Sequence, residues 1–258
     1  MAKTIIKELE EINLENPILI EGLPGIGFVG QIVTDQIIKL LDAKKFAQLQ
    51  SEHFPPQVLV KEDGLIEPMK NEFHYIKDLG ENNQDVIILT GNSQSNSQIG
   101  QVEICNSLIE YFEKLNIKQL FTVGGLGTGE PVNKSKVYVA GNNKELIDSI
   151  IEKTGAHIRK DDGGIVGASG LLLALAQEKE INAACLMGET PGFYIDPIAA
   201  KEVLLTLFKI LEFKIDLEDL DKQVESTLKT LANDPQFNPR GNMEPQLNKK
   251  NEDLNYIG

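Results

Sequence analysis

The sequence predicts an α/β protein in which a mostly parallel sheet is sandwiched between helices. Short apolar runs of strand length alternate along the chain with amphipathic segments of helical length. Each major apolar run leads into a glycine-rich loop, as expected where a strand turns into a helix. This alternation is typical of a sheet that is covered by helices on both faces.

The predicted strands are short and rich in Ile, Leu, Val and Ala. They cover residues 18–20, 58–60, 73–76, 85–90, 120–123, 136–140 and 183–187. The Asp-Gly pair at 63–64 predicts a hairpin between the second and third of these strands. Residues 43–50 fit a strand poorly.

The predicted helices show apolar residues near helical spacing. They cover residues 28–41, 99–115, 142–154, 171–177 and 197–213. Gly155 is the expected C-terminal cap of the third helix. Asp196 and Pro197 suit the N-cap and first positions of the last one.

The chain divides into three parts by composition. Residues 1–215 form the predicted α/β core domain. Residues 216–232 form an amphipathic C-terminal helix. Residues 233–258 are rich in Asn, Pro, Gly, Gln and charge, so they cannot bury enough surface to offset their ordering entropy and are predicted to be a flexible tail. That tail nevertheless ends in Leu254, Asn255, Tyr256, Ile257 and Gly258, which indicates a docking motif.

Charge and composition exclude several classes of protein. The formal net charge is -14 and the basic residues form no patch, which argues against nucleic acid and anionic membranes as partners. No apolar run is long enough to span a membrane, and residues 1–11 lack the pattern of a signal peptide. Cys105 and Cys185 lie in apolar stretches, as expected of buried thiols in a cytoplasmic protein. The spacing of His and Cys predicts no metal site, and we expect no cofactor.

Gly25, Gly27 and Gly30 spell G-x-G-x-x-G between a predicted strand and a predicted helix. That context suits a dinucleotide-binding loop, but the ribose-binding acid is missing, because Asp42 comes too early and Glu52 follows a poor strand. The alternative is a tight turn whose glycines let the helix pack closely on the sheet.

Two further glycine clusters, at 124–129 and 163–170, raise the same question. Neither has the Lys-Ser/Thr ending of a P-loop. Gly125 and Gly127 could line a ligand crevice at the edge of the sheet, together with the first cluster and Glu189. Close packing or an oligomer contact is the favoured interpretation.

No combination of residues predicts catalysis. Ser169 lies outside a nucleophile-elbow motif, and His157 has no evident nucleophile beside it. Glu189 and Asp196 could act as paired acids, but Asp196 fits a helix cap better.

Several motifs together resemble the proteasome assembly chaperone family. They are the stretch from Glu21 to Gly30, the Gly124-Gly125 loop, the run from Gly167 to Leu173, the stretch from Gly188 to Gly192, and the start of the last helix at Asp196. The resemblance spans residues 17–213.

This resemblance implies a three-layer architecture similar to that of nucleoside phosphorylases, without their catalytic residues. It also implies homo-oligomers that bind the α subunits of the 20S proteasome. Archaeal members act as assembly chaperones or ATP-independent activators, and some dock through a C-terminal tail whose penultimate residue is tyrosine. The partner-binding residues would here be Leu254, Tyr256, Ile257 and Gly258.

Two other classes remain open on the sequence. One is a nucleotide-dependent, ligase-like enzyme that uses the glycine-rich loops. The other is a structural oligomer that needs neither the loops nor the tail.

Overall fold

The computed structural model describes residues 3–61, 63–160 and 163–214. The strands in these ranges are β1 (Thr4–Glu8), β2 (Ile18–Glu21), β3 (Lys44–Ser51), β4 (Val58–Val60), β5 (Ile66–Pro68), β6 (Asn71–Leu79), β7 (Gln84–Gly91), β8 (Gln119–Gly127), β9 (Val137–Gly141), β10 (His157–Ile158) and β11 (Asn182–Thr190). The helices are α1 (Val29–Leu40), α2 (Gln98–Lys114), α3 (Lys144–Thr154), α4 (Gly167–Glu178) and α5 (Pro197–Ile210), and a 3-10 turn, Ile26–Phe28, precedes α1.

Nine of these strands form one mixed sheet in the order β1-β3-β6-β7-β2-β8-β11-β9-β10. The central strands β7, β2, β8 and β11 are parallel. On one side β6, β3 and β1 join in antiparallel pairs, and on the other β9 is antiparallel to β11. The prediction of a mostly parallel sheet is therefore wrong outside the centre. A tight turn joins β6 to β7, and a link that short permits only an antiparallel pair.

The α/β class is confirmed, with helices on both faces of the sheet. Helices α1, α3 and α5 pack on one face and α2 and α4 on the other. Successive residues of β2 point to opposite faces, so Leu19 joins the core under α2 and α4 while Ile20 joins the core under α1 and α5. Both side chains are fully buried.

The five helices predicted within the core form, and two of them have the caps that the sequence predicts. The Asp196 side chain accepts a hydrogen bond from the Ala199 amide at 2.9 Å and so caps α5. Gly155 ends α3 in the left-handed region at φ 76°. Helix α4 begins at Gly167, four residues before the predicted start.

Some predicted strands differ from those observed. Residues 43–50 fit a strand poorly by sequence, yet they form β3, which buries Phe46, Ala47 and Leu49 and has an irregularity in its pairing with β6 between Lys45 and Ala47. The 63–64 turn closes a hairpin between β4 and β5, not between β4 and β6. Strand β6 pairs instead with β3 and β7, where Phe73 is buried. Packing in the sheet outweighs the weak local pattern in both cases.

The predicted helix 216–232 and tail 233–258 lie outside the described residues. No helix in the part of the chain that the structure describes is long and apolar enough to cross a membrane.

Candidate functional site

A crevice of about 370 Å³ opens at the carboxyl ends of β2 and β8, beside the first turn of α4. Its walls come from the loop after β2, the end of β8, residues 159 and 164–166, and the start of α4. The side chain of Gln94 fixes two of these walls together. Its amide donates to the Pro24 carbonyl at 2.7 Å and its oxygen accepts from the Ala168 amide at 2.9 Å.

Three of the predicted loop glycines line this crevice, namely Gly25, Gly125 and Gly127. Gly125 and Gly127 lie within β8, which extends to residue 127, past its predicted end at residue 123. This part of the glycine cluster is therefore strand and not loop. Its backbone pairs with β11 as far as Thr190. Glu189, also predicted to lie in a loop, is half-buried within β11, and its amide donates to the Lys136 carbonyl at 2.9 Å. It does not line the crevice.

The other two predicted glycines, Gly27 and Gly30, serve packing, as does Gly22 beside them. A β-carbon on Gly30 would overlap the Val123 carbonyl, and one on Gly22 would overlap the Gly30 carbonyl. Helix α1 therefore approaches β8 with backbone against backbone. Gly27 lies at φ 60° beside Thr190, a conformation that favours glycine. The sequence allowed two interpretations of these glycines, a dinucleotide-binding loop or a tight turn that lets the helix pack closely on the sheet. The observed contacts fit the second.

The position of β3 in the sheet also argues against a dinucleotide-binding site. Glu52 does follow a strand, as the pattern requires, but β6 and β7 separate that strand from β2. A ribose-binding acid lies on the strand next to the glycine loop in a dinucleotide-binding fold. Glu52 is therefore remote from Gly25 and the crevice.

A row of buried polar residues lies beneath the crevice. Glu21, Thr122 and Cys185 are adjacent across β2, β8 and β11. The Ser169 hydroxyl, in the first turn of α4, donates to Oε2 of Glu21 at 3.0 Å. Oε1 of Glu21 has no hydrogen-bond partner among the described residues, and the Thr122 hydroxyl lies beside the Cys185 thiol.

The electrostatics of this row follow from its burial. Glu21 is fully buried, and loss of solvation raises the pKa of its carboxyl to about 7, although the hydrogen bond from Ser169 opposes that shift. Burial likewise raises the pKa of the Cys105 and Cys185 thiols to about 12, so both are poor nucleophiles. Sequence reasoning missed Glu21 as a site residue. The available signal was an acidic residue that ends a wholly apolar strand.

The other candidate catalytic residues have structural surroundings. The ring of His157 lies against that of Tyr138 on the edge strands, with centroids 5.6 Å apart. Asp196 caps α5 and is committed to the backbone. Within the described residues, no group of three or more His, Cys, Asp or Glu side chains could hold a metal ion.

The predicted partner-binding residues, Leu254, Tyr256, Ile257 and Gly258, lie outside the described residues. Their role remains a prediction.

The fold and the crevice together define an α/β protein with a helix-covered mixed sheet and a glycine-lined crevice at the ends of its central strands. The sequence profile of the PAC2 family matches residues 19–233. The chain belongs to the PAC2 family, which confirms the resemblance seen in its motifs.

Relatives and solved structures agree with this assignment. An uncharacterized protein of Methanocaldococcus jannaschii is 38% identical over 260 residues, covering 100% of this chain and 99% of that protein. The crystal structure of Pyrococcus furiosus PbaB, an archaeal proteasome activator, is 35% identical with a TM-score of 0.82, and the match covers 90% of this chain and 98% of PbaB. PbaA of the same organism, an archaeal homolog of proteasome-assembly chaperone, is 30% identical with a TM-score of 0.71, over 90% of this chain and 95% of PbaA.

Proposed function

We propose that this chain is a non-catalytic, cytoplasmic, homo-oligomeric protein that binds the α subunits of the 20S proteasome and acts as an assembly chaperone or activator. The observation that carries the proposal is the similarity to PbaB, which extends over nearly the whole of both chains. The likeness of the three layers to nucleoside phosphorylases is part of the same proposal.

Docking is assigned to the C-terminal residues Leu254, Tyr256, Ile257 and Gly258. Residues 215–258 follow the last described residue, and the final segment of 26 residues from 233 could span up to roughly 80 Å if extended. A tethered apolar terminus binds weakly by itself, but several copies in one oligomer act together and raise the apparent affinity.

Two groups of exposed apolar side chains support self-association. One is on the β4–β5 hairpin, where Val60 is 72% and Ile66 is 67% exposed. The other is on the loop after β11, where Phe193 is 60% exposed. Contiguous exposed apolar surface is uncommon on monomers and commonly marks an interface.

The decisive experiment is capture of the 20S proteasome of the same organism by the full-length chain and by a chain that ends at Asn255. We expect the truncation to abolish capture while its circular dichroism spectrum and oligomer mass stay the same. Asn255→Ala is the matched control, because it changes the tail at a position outside the docking set, and we expect it to capture normally.

Deleting Gly258 alone tests the register of the tail. Because Tyr256 is third from the end here, this deletion makes it penultimate. If Gly258 belongs to the docking set, capture falls. Capture by the chain that ends at Asn255 would refute tail docking, and failure of the full-length chain to capture would refute the proteasome partner.

A further inference from the structure

The crevice occupies the place in the sheet where α/β proteins bind ligands. The chain leaves β2 through α1 towards β3 on one side of the sheet, and it leaves β8 towards β9 on the other. Ligands bind at the carboxyl ends of strands whose connections diverge in this way. A volume of about 370 Å³ is within the range of roughly 300–1,000 Å³ that is typical of small-molecule sites.

A buried carboxyl group lies beneath the crevice. Strand β2 ends at Glu21, which pairs with Thr122, so β8 has no β2 partner from Val123 onward. Oε1 of Glu21 is buried with no hydrogen-bond partner in the described part of the chain, and the Thr122 hydroxyl lies beside the Cys185 thiol. Buried polar groups are almost always hydrogen-bonded in folded proteins. Ser169 links this buried carboxyl to the cavity, so a ligand in the crevice would reach Glu21 only through the Ser169 hydroxyl.

Ser169 determines what kind of polar group this molecule presents. Its hydroxyl proton is directed at Glu21, and Ser169 itself lines the crevice. Its oxygen is therefore left as an acceptor towards the cavity, which suits a ligand that carries an N–H or O–H donor.

The lining favours an uncharged ligand. The Glu21 carboxyl beneath the base disfavours an anion, and none of the described lining residues is a carboxylate that would bind a cation. The remaining wall includes Ile26, Leu126 and Met187, which favour an apolar body. Gly124 leaves open space over β8 where a flat molecule could approach the backbone.

We propose that the crevice binds a neutral, largely apolar small molecule that donates one hydrogen bond to the hydroxyl of Ser169. The residues assigned to this site include none of the C-terminal residues assigned to proteasome docking, so either assignment can fail without the other.

Indole and 1-methylindole are the probes, because they differ by the single N–H donor. The chain contains no Trp, so indole fluorescence reports binding directly, and calorimetry gives the stoichiometry. With the full-length chain at pH 8 we expect saturable, one-to-one binding of indole. We expect 1-methylindole to bind about 2- to 10-fold more weakly, as for the loss of one hydrogen bond. In Ser169→Ala that difference should vanish.

Three variants locate the binding. Gly124→Leu projects a side chain into the open crevice and should weaken indole binding at least about tenfold. Gly164→Leu is a second filler that also has free space, in case the first impairs folding. Ile99→Ser removes exposed apolar surface on α2, outside the crevice lining, and should leave binding unchanged.

The proposal is overturned if indole shows no saturable binding, if the two probes bind wild type equally, or if their difference survives in Ser169→Ala. It is also overturned if folded filler variants bind indole as wild type does, or if Ile99→Ser abolishes binding.

Discussion

Replacing Glu21 with Gln should change how the stability of the protein depends on pH. The carboxyl is fully buried, with a pKa of about 7 in the folded chain against 4.5 when unperturbed. Between these two values the folded state holds more protons than the unfolded state. The free energy of unfolding therefore falls as pH rises from 4.5 to 7, because the buried Glu21 carboxyl loses its proton. It rises again as pH falls and the carboxyl is protonated.

The magnitude follows from the size of that shift. A difference of about 2.5 pKa units corresponds to about 3 kcal/mol at pH 8 relative to pH below 4.5. Gln has the same shape and keeps an oxygen that accepts from Ser169, but it does not titrate. Any cost of its unpaired amide hydrogens shifts the stability equally at every pH. The slope against pH, rather than the stability at one pH, is therefore the diagnostic quantity.

The assay is urea unfolding followed by circular dichroism at pH 5, 6, 7 and 8, with linear extrapolation to water. We expect wild type to lose about 2–3 kcal/mol more than Glu21→Gln between pH 5 and 8. Glu189→Gln, the same chemical change outside the buried row, serves as the control and should follow wild type. Parallel profiles for wild type and Glu21→Gln would refute the raised pKa and the burial argument behind it.

Three further predictions test the packing and the caps. Gly30→Ala should destabilise the fold by about 1–3 kcal/mol, because its β-carbon overlaps a carbonyl of β8. The control is Gly124→Ala, whose β-carbon meets open space, and its free energy of unfolding should lie within about 1 kcal/mol of wild type in the same urea assay. Equal unfolding midpoints for the two variants would contradict the close approach of α1 to β8. Both thiols, Cys105 and Cys185, should be inert to Ellman's reagent in the native protein and react fully in urea, and a fast native phase would show that one of them is accessible. Asp196→Ala should cost about 1–2 kcal/mol through loss of the α5 cap, and an unchanged melting temperature would rule out that role.

The local features of the fold were predictable because local sequence specifies them. Helix α3 illustrates this, since its apolar periodicity, the Asn143 cap and Gly155 at φ 76° all lie within one short segment. Strand β3 illustrates the opposite case. Its residues have a weak pattern, and they form a strand because Phe46 and Leu49 pack in the core against distant elements.

The candidate site was predictable only in part. The sequence placed Gly25, Gly125 and Gly127 at strand ends, and all three line the crevice. It did not separate them from Gly30, because a glycine required for packing and one that borders a cavity look alike in a single sequence. In the structure a β-carbon on Gly25 or Gly127 has room, whereas one on Gly30 or Gly125 would overlap a carbonyl of another element. Gly125 therefore both borders the cavity and is required for packing.

The sequence by itself determined the α/β class, the approximate positions of the five core helices, the caps at Gly155 and Asp196, and the motifs of the PAC2 family. Only the tertiary structure decided the mixed strand order and the meeting of Glu21, Thr122, Ser169 and Cys185. These four residues are widely separated along the chain, and their contact depends on which strands pair and in what register. Apolar periodicity shows which face of a strand is buried, but it does not encode the identity of the neighbouring strand.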